Sequence, residues 1–158
     1  MTRHSLAQIG VDAEATAVNA GAEVEVQTGK PVAPGDHDHF IERDGLRYAG
    51  SHLIIDLWDA DYLDDRGVVE LAIRRAIRAA GATLLHLHLH EFQPSGGISG
   101  VAVLAESHIS IHTWPERDYA AVDVFMCGDA RPHQVVPVLK QAFNAGRITI
   151  SEQLRGVV

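Results

Sequence analysis

The chain predicts an α+β fold: a two-layer α/β sandwich with an antiparallel or mixed sheet and the helices on one face. Three observations point there. Helices are few, because only two stretches carry a 3.6-residue apolar period, near residues 69–80 and 135–143. The remaining regular segments alternate or run apolar in the manner of strands. Three of those strand segments follow one another with no helix between them, which a purely parallel sheet does not allow. The expected order is β-α-β-β-β-α-β, without internal repeats.

Residues 1–49 differ from the rest. They are rich in Ala, Gly, Asp and Glu and lack a regular period. Lys30 to Phe40 is a Pro/Gly loop that contains His37-Asp38-His39. This region is read as a flexible N-terminal extension with a short ordered part near Phe40 to Tyr48. A metal on the two histidines is weighed and set below a solvated tail. Residues 50–158 form the expected domain.

Ser51 to Trp58 reads as a buried first strand. Asp59 to Asp65 is a turn in which Asp64 or Asp65 can cap the next helix. Val69, Ala72, Ile73, Ala76, Ile77 and Ala80 then line one helical face, and Gly81 ends the helix. Arg74, Arg75 and Arg78 lie off that face and are read as solvated. Thr83 to His90 alternates as a strand, with His86, His88 and His90 opposite Leu85, Leu87 and Leu89. Two such histidines can share a zinc ion. No carboxylate or thiolate nearby completes a ligand set, so they are read as polar-face or site-wall residues and no metal is expected. Glu91 to Gly100 is a Gly/Pro loop, and no Lys-Ser/Thr pair follows to make it a phosphate cradle. Tyr119 to Cys127 is another strand. Pro132 opens a second helix with Val135, Val136, Leu139, Ala142 and Phe143 as its apolar face, Gly146 ends it, and Arg147 to Ser151 is the last strand.

Composition narrows the function. The 158 residues are 46% hydrophobic and 22% charged, as in an ordinary globular domain. A net charge of -8 disfavours nucleic acid or an anionic membrane as partner. Cys127 is the single cysteine, so no internal disulfide forms and a reducing, cytoplasmic home is expected. No signal-peptide run opens the chain, and no stretch approaches the roughly 20 apolar residues of a membrane span.

The densest chemistry lies in Ala105-Glu106-Ser107-His108-Ile109-Ser110-Ile111-His112-Thr113-Trp114-Pro115-Glu116. Val101, Val103 and Leu104 lead into it as a buried strand would. Ser beside His suggests a nucleophile and a base. By spacing alone, a half-buried strand fits better, with His108, Ser110 and His112 on one face and Ile109 and Ile111 on the other. On this reading a break at Ser107 is left open.

The unbroken string from Glu106 to Glu116 resembles the self-cleavage segment of the pyruvoyl-dependent S-adenosylmethionine decarboxylases of the short prokaryotic type. The resemblance spans roughly Gly50 to Gly156. It implies cleavage between Glu106 and Ser107 into a β chain, 1–106, and an α chain, 107–158. It makes Ser107 the precursor of a covalent pyruvoyl group, His112 the processing base and Ser99 the oxyanion-side helper. The pyruvoyl ketone would then take the substrate amine as a Schiff base and accept the electrons left by loss of CO₂, and Cys127 would return the proton. Read without the resemblance, Cys127 is a small buried hydrophobe. The resemblance also implies that Phe92 and Trp114 stack on the adenine and that Glu116 holds the ribose hydroxyls. Otherwise these are core aromatics and a turn residue.

The implied activity is decarboxylation of S-adenosylmethionine, supplying aminopropyl donor for spermidine synthesis, in a homodimer of cleaved protomers with sites at or near the interface. A one-sided helix layer leaves sheet surface for such pairing. Two departures from the family pattern flank the pocket. The Pro94–Ser99 loop is one residue longer than the common form, and His90-Glu91 replaces a frequently basic pair. They bear on the substrate more than on the pyruvoyl chemistry and keep open a pyruvoyl-dependent ornithine or arginine decarboxylase. A non-catalytic partner of an active relative, against which the retained Ser107, His112 and Cys127 argue, and a metal-binding module on His86, His88 and His90, the weakest, are the remaining rivals. Geometry adds a condition. Ser107 and His112 are five residues apart, so a straight strand sets them on opposite faces. The chemistry requires a kink near Ser107 or another way for folding to bring them together.

Overall fold

The computed structural model describes residues 39–158. His37 and Asp38 of the possible metal cluster lie outside them. Within the expected extension, β1 (Ile41–Arg43) and β2 (Leu46–Tyr48) pair as a small antiparallel hairpin. Its turn is Asp44-Gly45, both at positive φ, which Asp tolerates and Gly favours.

The domain is one six-stranded sheet with two helices. Its strands are β3 (Gly50–Trp58), β4 (Leu84–Glu91), β5 (Ile98–Leu104), β6 (Ser107–Trp114), β7 (Tyr119–Met126) and β8 (Arg147–Arg155). The spatial order is β4-β5-β6-β7-β3-β8, and every neighbouring pair is antiparallel. The sheet is therefore antiparallel, the first of the two expected forms.

The pleat sorts side chains between the two faces. Leu53, Ile55, Leu57, Ala102, Leu104, Ile109, Ile111, Ala120, Val122, Val124 and Met126 point one way and are buried. They form one core with Val69, Ala72, Ile73, Ala76, Ile77 and Ala80 of α1 (Arg66–Ala80), and with Val135 and Leu139 of α2 (Val135–Ala142). Both helices thus cover the same face. The other face carries no helix.

Of the two capping candidates, Asp65 takes the role: its carboxylate accepts the Val68 N–H at 3.0 Å. Gly81 closes α1 in the left-handed region at φ 72°, with its N–H on the Arg78 carbonyl. Arg74 pairs with Glu70 one turn back.

Five local expectations need correction. The stretch from Val101 to Trp114 is two strands, because the chain reverses at Ala105-Glu106, which gives six strands in the sheet where five were expected. Ile98, Ser99 and Gly100 belong to β5, since pairing with β4 extends the ladder into the supposed loop. Leu85 does not share a face with Leu87 and Leu89: a register shift between Leu84 and His86 leaves it 63% exposed. The second helix begins with a 3₁₀ turn at Pro132–Gln134 and ends at Ala142, four residues before Gly146, where Asn144 takes the left-handed place at φ 47°. The last strand runs on to Arg155, paired along β3.

Candidate active site

The two-residue turn between β5 and β6 holds the first group. Glu106 is its second residue and Ser107 opens β6. Ser107 has φ 144°, a conformation that side chains other than glycine adopt only under strain. The strain sits on the residue that follows the Glu106–Ser107 peptide bond. Cys127, just past β7, directs two donors at the Glu106 carbonyl oxygen: its backbone N–H at 3.0 Å and its thiol at 3.1 Å. Two donors on one carbonyl oxygen are the elements of an oxyanion hole. On the other side of the turn, the Glu106 carboxylate accepts the Thr83 N–H at 2.8 Å and the Thr83 hydroxyl at 3.2 Å.

The second group lies at the far end of the same hairpin. Ser99 and His112 are direct cross-strand partners, and Ser99 Oγ lies 2.7 Å from His112 Nδ1. The hydroxyl donates when Nδ1 is unprotonated. A cavity of about 390 Å³ opens beside them, lined by Phe92, Ser95, Ser99, His112, Trp114 and Glu116 among others. Phe92 and Trp114 are 47% and 41% exposed, so both rings present area to a ligand. The pocket floor is fixed by Thr113, whose hydroxyl accepts the Ile98 N–H and donates to the Leu63 carbonyl, each at 2.8 Å. Gly97 packs against that floor: a Cβ there would stand 2.9 Å from the Thr113 carbonyl oxygen.

All eight residues expected at the site fall into these two groups. Phe92, Ser99, His112, Trp114 and Glu116 share the cavity. Glu106, Ser107 and Cys127 meet at the turn. The two groups do not meet each other within the protomer. Ser107 pairs with Leu104 and His112 with Ser99, so five residues of strand separate them, roughly 16 Å at strand rise. Ser107 also keeps register with buried Leu104 and Met126, whereas His112 is on the helix-free face. No kink brings Ser107 to His112.

Three residues that local reasoning passed over, Tyr119, Trp58 and Asp56, form a chain of contacts on Trp114, which lines the cavity. Tyr119 stacks on Trp114 with ring centroids 5.3 Å apart and packs on Trp58 at 4.3 Å. Its hydroxyl donates to Asp56 Oδ1 at 2.6 Å. That hydrogen bond, then burial and the charges of Asp56 and Asp123, push the Tyr119 phenol up to about 12. The Trp58-Tyr119 pairing joins β3 to β7, so only strand register could have shown it. His86, His88 and His90 are in register with Val103, Val101 and Ser99 on the helix-free face. Among the described residues, no group of three or more His, Cys, Asp or Glu side chains is placed to hold a metal ion.

The domain is an α+β sandwich, one antiparallel sheet under two helices. A family model for S-adenosylmethionine decarboxylase matches residues 51–156. An S-adenosylmethionine decarboxylase proenzyme of Thermomicrobium roseum is 44% identical over 114 residues, covering 72% of this chain and 98% of that protein. One of Parasynechococcus marenigrum is 52% identical over 101 residues, covering 62% and 78%. The crystal structure of the adenosylmethionine decarboxylase of Aquifex aeolicus superposes with a TM-score of 0.63 at 35% identity, over 70% of this chain and 93% of that one. The chain belongs to the S-adenosylmethionine decarboxylase family.

Proposed function

We propose that the protein decarboxylates S-adenosylmethionine with a pyruvoyl group made from its own Ser107. The observation that carries this reading is the Glu106–Ser107 bond itself: its carbonyl oxygen accepts two hydrogen bonds from Cys127 and its serine is strained. Ser107 Oγ adds to the Glu106 carbonyl carbon, the C–N bond breaks, and the hydroxyl proton ends on the amide nitrogen, giving an ester. Loss of the Ser107 Cα proton to a base expels the Glu106 carboxylate and leaves dehydroalanine. One water enters and ammonia leaves, so position 107 becomes a ketone at the head of a new chain, 107–158. That ketone supplies the electron sink for loss of CO₂.

The chain's own residues do the rest. Phe92 and Trp114 clamp the adenine, Glu116 accepts from the ribose hydroxyls, and Cys127 Sγ returns a proton to the substrate α-carbon. His112 serves as processing base with Ser99 as its hydrogen-bonded helper. Since those two stand roughly 16 Å along the strand from Ser107 in one protomer, they act across a homodimer, with the partner's His112 serving each Ser107. The helix-free sheet face supports this assembly: Ile54, Val101 and Val103 are exposed on it, where an isolated sheet would carry polar residues. Residues 1–49 are an extension to the catalytic domain. No described helix is long and apolar enough to cross a membrane, and we place the enzyme in the cytoplasm. Its decarboxylated product is the aminopropyl donor for spermidine.

Intact mass of the purified chain beside Ser107→Ala tests the reading. Two chains split after Glu106, the second opening with pyruvoyl, together with CO₂ released from carboxyl-labelled adenosylmethionine, are the expected result. A single persistent chain of 17.1 kDa would overturn it. Cleavage with CO₂ from ornithine or arginine alone would move the substrate to an amino acid.

A further inference from the structure

Glu106 is held from both ends. Cys127 grips its carbonyl oxygen, and Thr83 grips its side chain. Thr83 makes three contacts to the turn: its N–H donates to Glu106 Oε2 at 2.8 Å, its hydroxyl to Oε1 at 3.2 Å, and its carbonyl accepts the Ala105 N–H at 3.0 Å. Thr83 lies just before β4, two strands away from β6 in the sheet. The turn is therefore tied to a point outside its own hairpin.

We infer that Thr83 is a positioning residue for self-cleavage, holding Glu106 so that the scissile peptide stays strained against the donors of Cys127. This rests on the reading of Glu106–Ser107 as the cleavage site. A two-residue turn of Ala105 and Glu106 contains neither Gly nor Asn, the residues that accept unusual backbone angles cheaply. Left to itself, such a turn would relax Ser107 out of φ 144° by rotating the Glu106–Ser107 peptide plane. Rotation would also swing the Glu106 carbonyl away from Cys127. A carboxylate fixed by two donors resists that rotation, because Glu106 then has no freedom at its side-chain end. Thr83 touches none of the reacting atoms. It acts through Glu106, and its effect should vanish when the Glu106 carboxylate is gone.

The test is a time course of chain cleavage by intact mass after cell-free synthesis of the full chain. Thr83→Val keeps the shape and the backbone N–H but removes the hydroxyl, and it should slow cleavage roughly three- to tenfold. Thr83→Ser restores a hydroxyl and should return the rate to within about twofold of the parent. In a Glu106→Ala background, itself slow, Thr83→Val should change nothing further. Melting temperatures of Ser107→Ala with and without Thr83→Val should agree, which separates positioning from a folding defect. Thr83→Val cleaving at the parent rate would overturn the inference and leave the cleavage site standing. So would an equal further loss in the Glu106→Ala background, or a slowing that Ser does not rescue. A parent chain that never cleaves would remove the cleavage reading and the inference with it.

Discussion

Cys127 donates to the Glu106 carbonyl oxygen twice, from its backbone N–H at 3.0 Å and from its thiol at 3.1 Å. The backbone donor is independent of residue type, and the thiol donor is not. Cys127→Ala should therefore slow cleavage without abolishing it, by roughly tenfold for one lost donor of modest strength. Cys127→Ser retains a donor and should cleave close to the parent rate. Its decarboxylation should still be impaired, because a serine hydroxyl is a far weaker acid than a thiol. Chain cleavage by intact mass and CO₂ release, measured on the same preparations, separate the two roles. Equal loss in both assays for Cys127→Ser would contradict them.

The distance between the two halves of the site makes a prediction about assembly. Ser107→Ala and His112→Ala should each fail to cleave alone. Co-expressed with distinguishable tags, they should form mixed dimers in which an intact Ser107 faces an intact His112. Cleavage should then appear only on the His112→Ala chain, since only that chain keeps the serine. If no cleavage returns although mixed dimers are isolated, His112 does not act across the interface.

Much of this arrangement was legible in the residues, and what was missed has physical causes. The face of α1 follows from its 3.6-residue spacing, and β3, β6 and β7 from alternation that one-sided burial enforces. The reversal after Leu104 showed only as a break expected at Ser107, with no sign of a full hairpin. Ala105-Glu106 lacks turn residues, and its strained partner is Ser107 itself, so a continuous apolar lead-in looked like one strand. All eight candidate site residues came from the family resemblance, not from spacing. Their division between two ends of a hairpin depends on pairing register, which spacing along one strand does not reveal. Thr83 and the Asp56-Tyr119 pair escaped for the same reason: each contact joins elements far apart in sequence.

Tyr119 should titrate late. The chain has three tyrosines. The phenol of Tyr119 is pushed up to about 12, first by its hydrogen bond to Asp56 and then by burial and nearby carboxylates. A phenol with a folded value above its unfolded one adds stability in full below about pH 10. That contribution is lost as pH rises from about 10 to about 12. Tyrosinate absorbance should show one slow component, and Asp56→Asn should bring it back toward the ordinary value. A pH titration of Asp56→Asn identical to the parent would place the cause elsewhere.

Core packing sets the cost of truncation. Phe143 and Leu53 are among the largest fully buried side chains and belong to the single core between sheet and helices. Phe143→Ala and Leu53→Ala should each destabilise by about 2–5 kcal/mol. Denaturant unfolding in a Ser107→Ala background keeps the chain intact and the comparison simple. A loss below about 1 kcal/mol would mean that the core collapses around the cavity.

Thr113 joins stability to function at one point. Its hydroxyl is buried and satisfies two backbone groups at once, the Ile98 N–H at the start of β5 and the Leu63 carbonyl in the segment before α1. Thr113→Val keeps the volume and strands both. Each buried backbone group left without a partner costs about 1–3 kcal/mol, and loosening of the segment would recover part of that. Ile98 precedes Ser99, and Thr113 lies between His112 and Trp114, so the same loosening reaches the pocket. Thr113→Val should therefore lower the melting temperature and raise KM for adenosylmethionine more than it lowers kcat. Chain cleavage, completed before the assay, should still run to its end. Thr113→Ser, which keeps the hydroxyl, should lose little of either. A Thr113→Val protein with parent KM and a lowered melting temperature would confine the residue to folding.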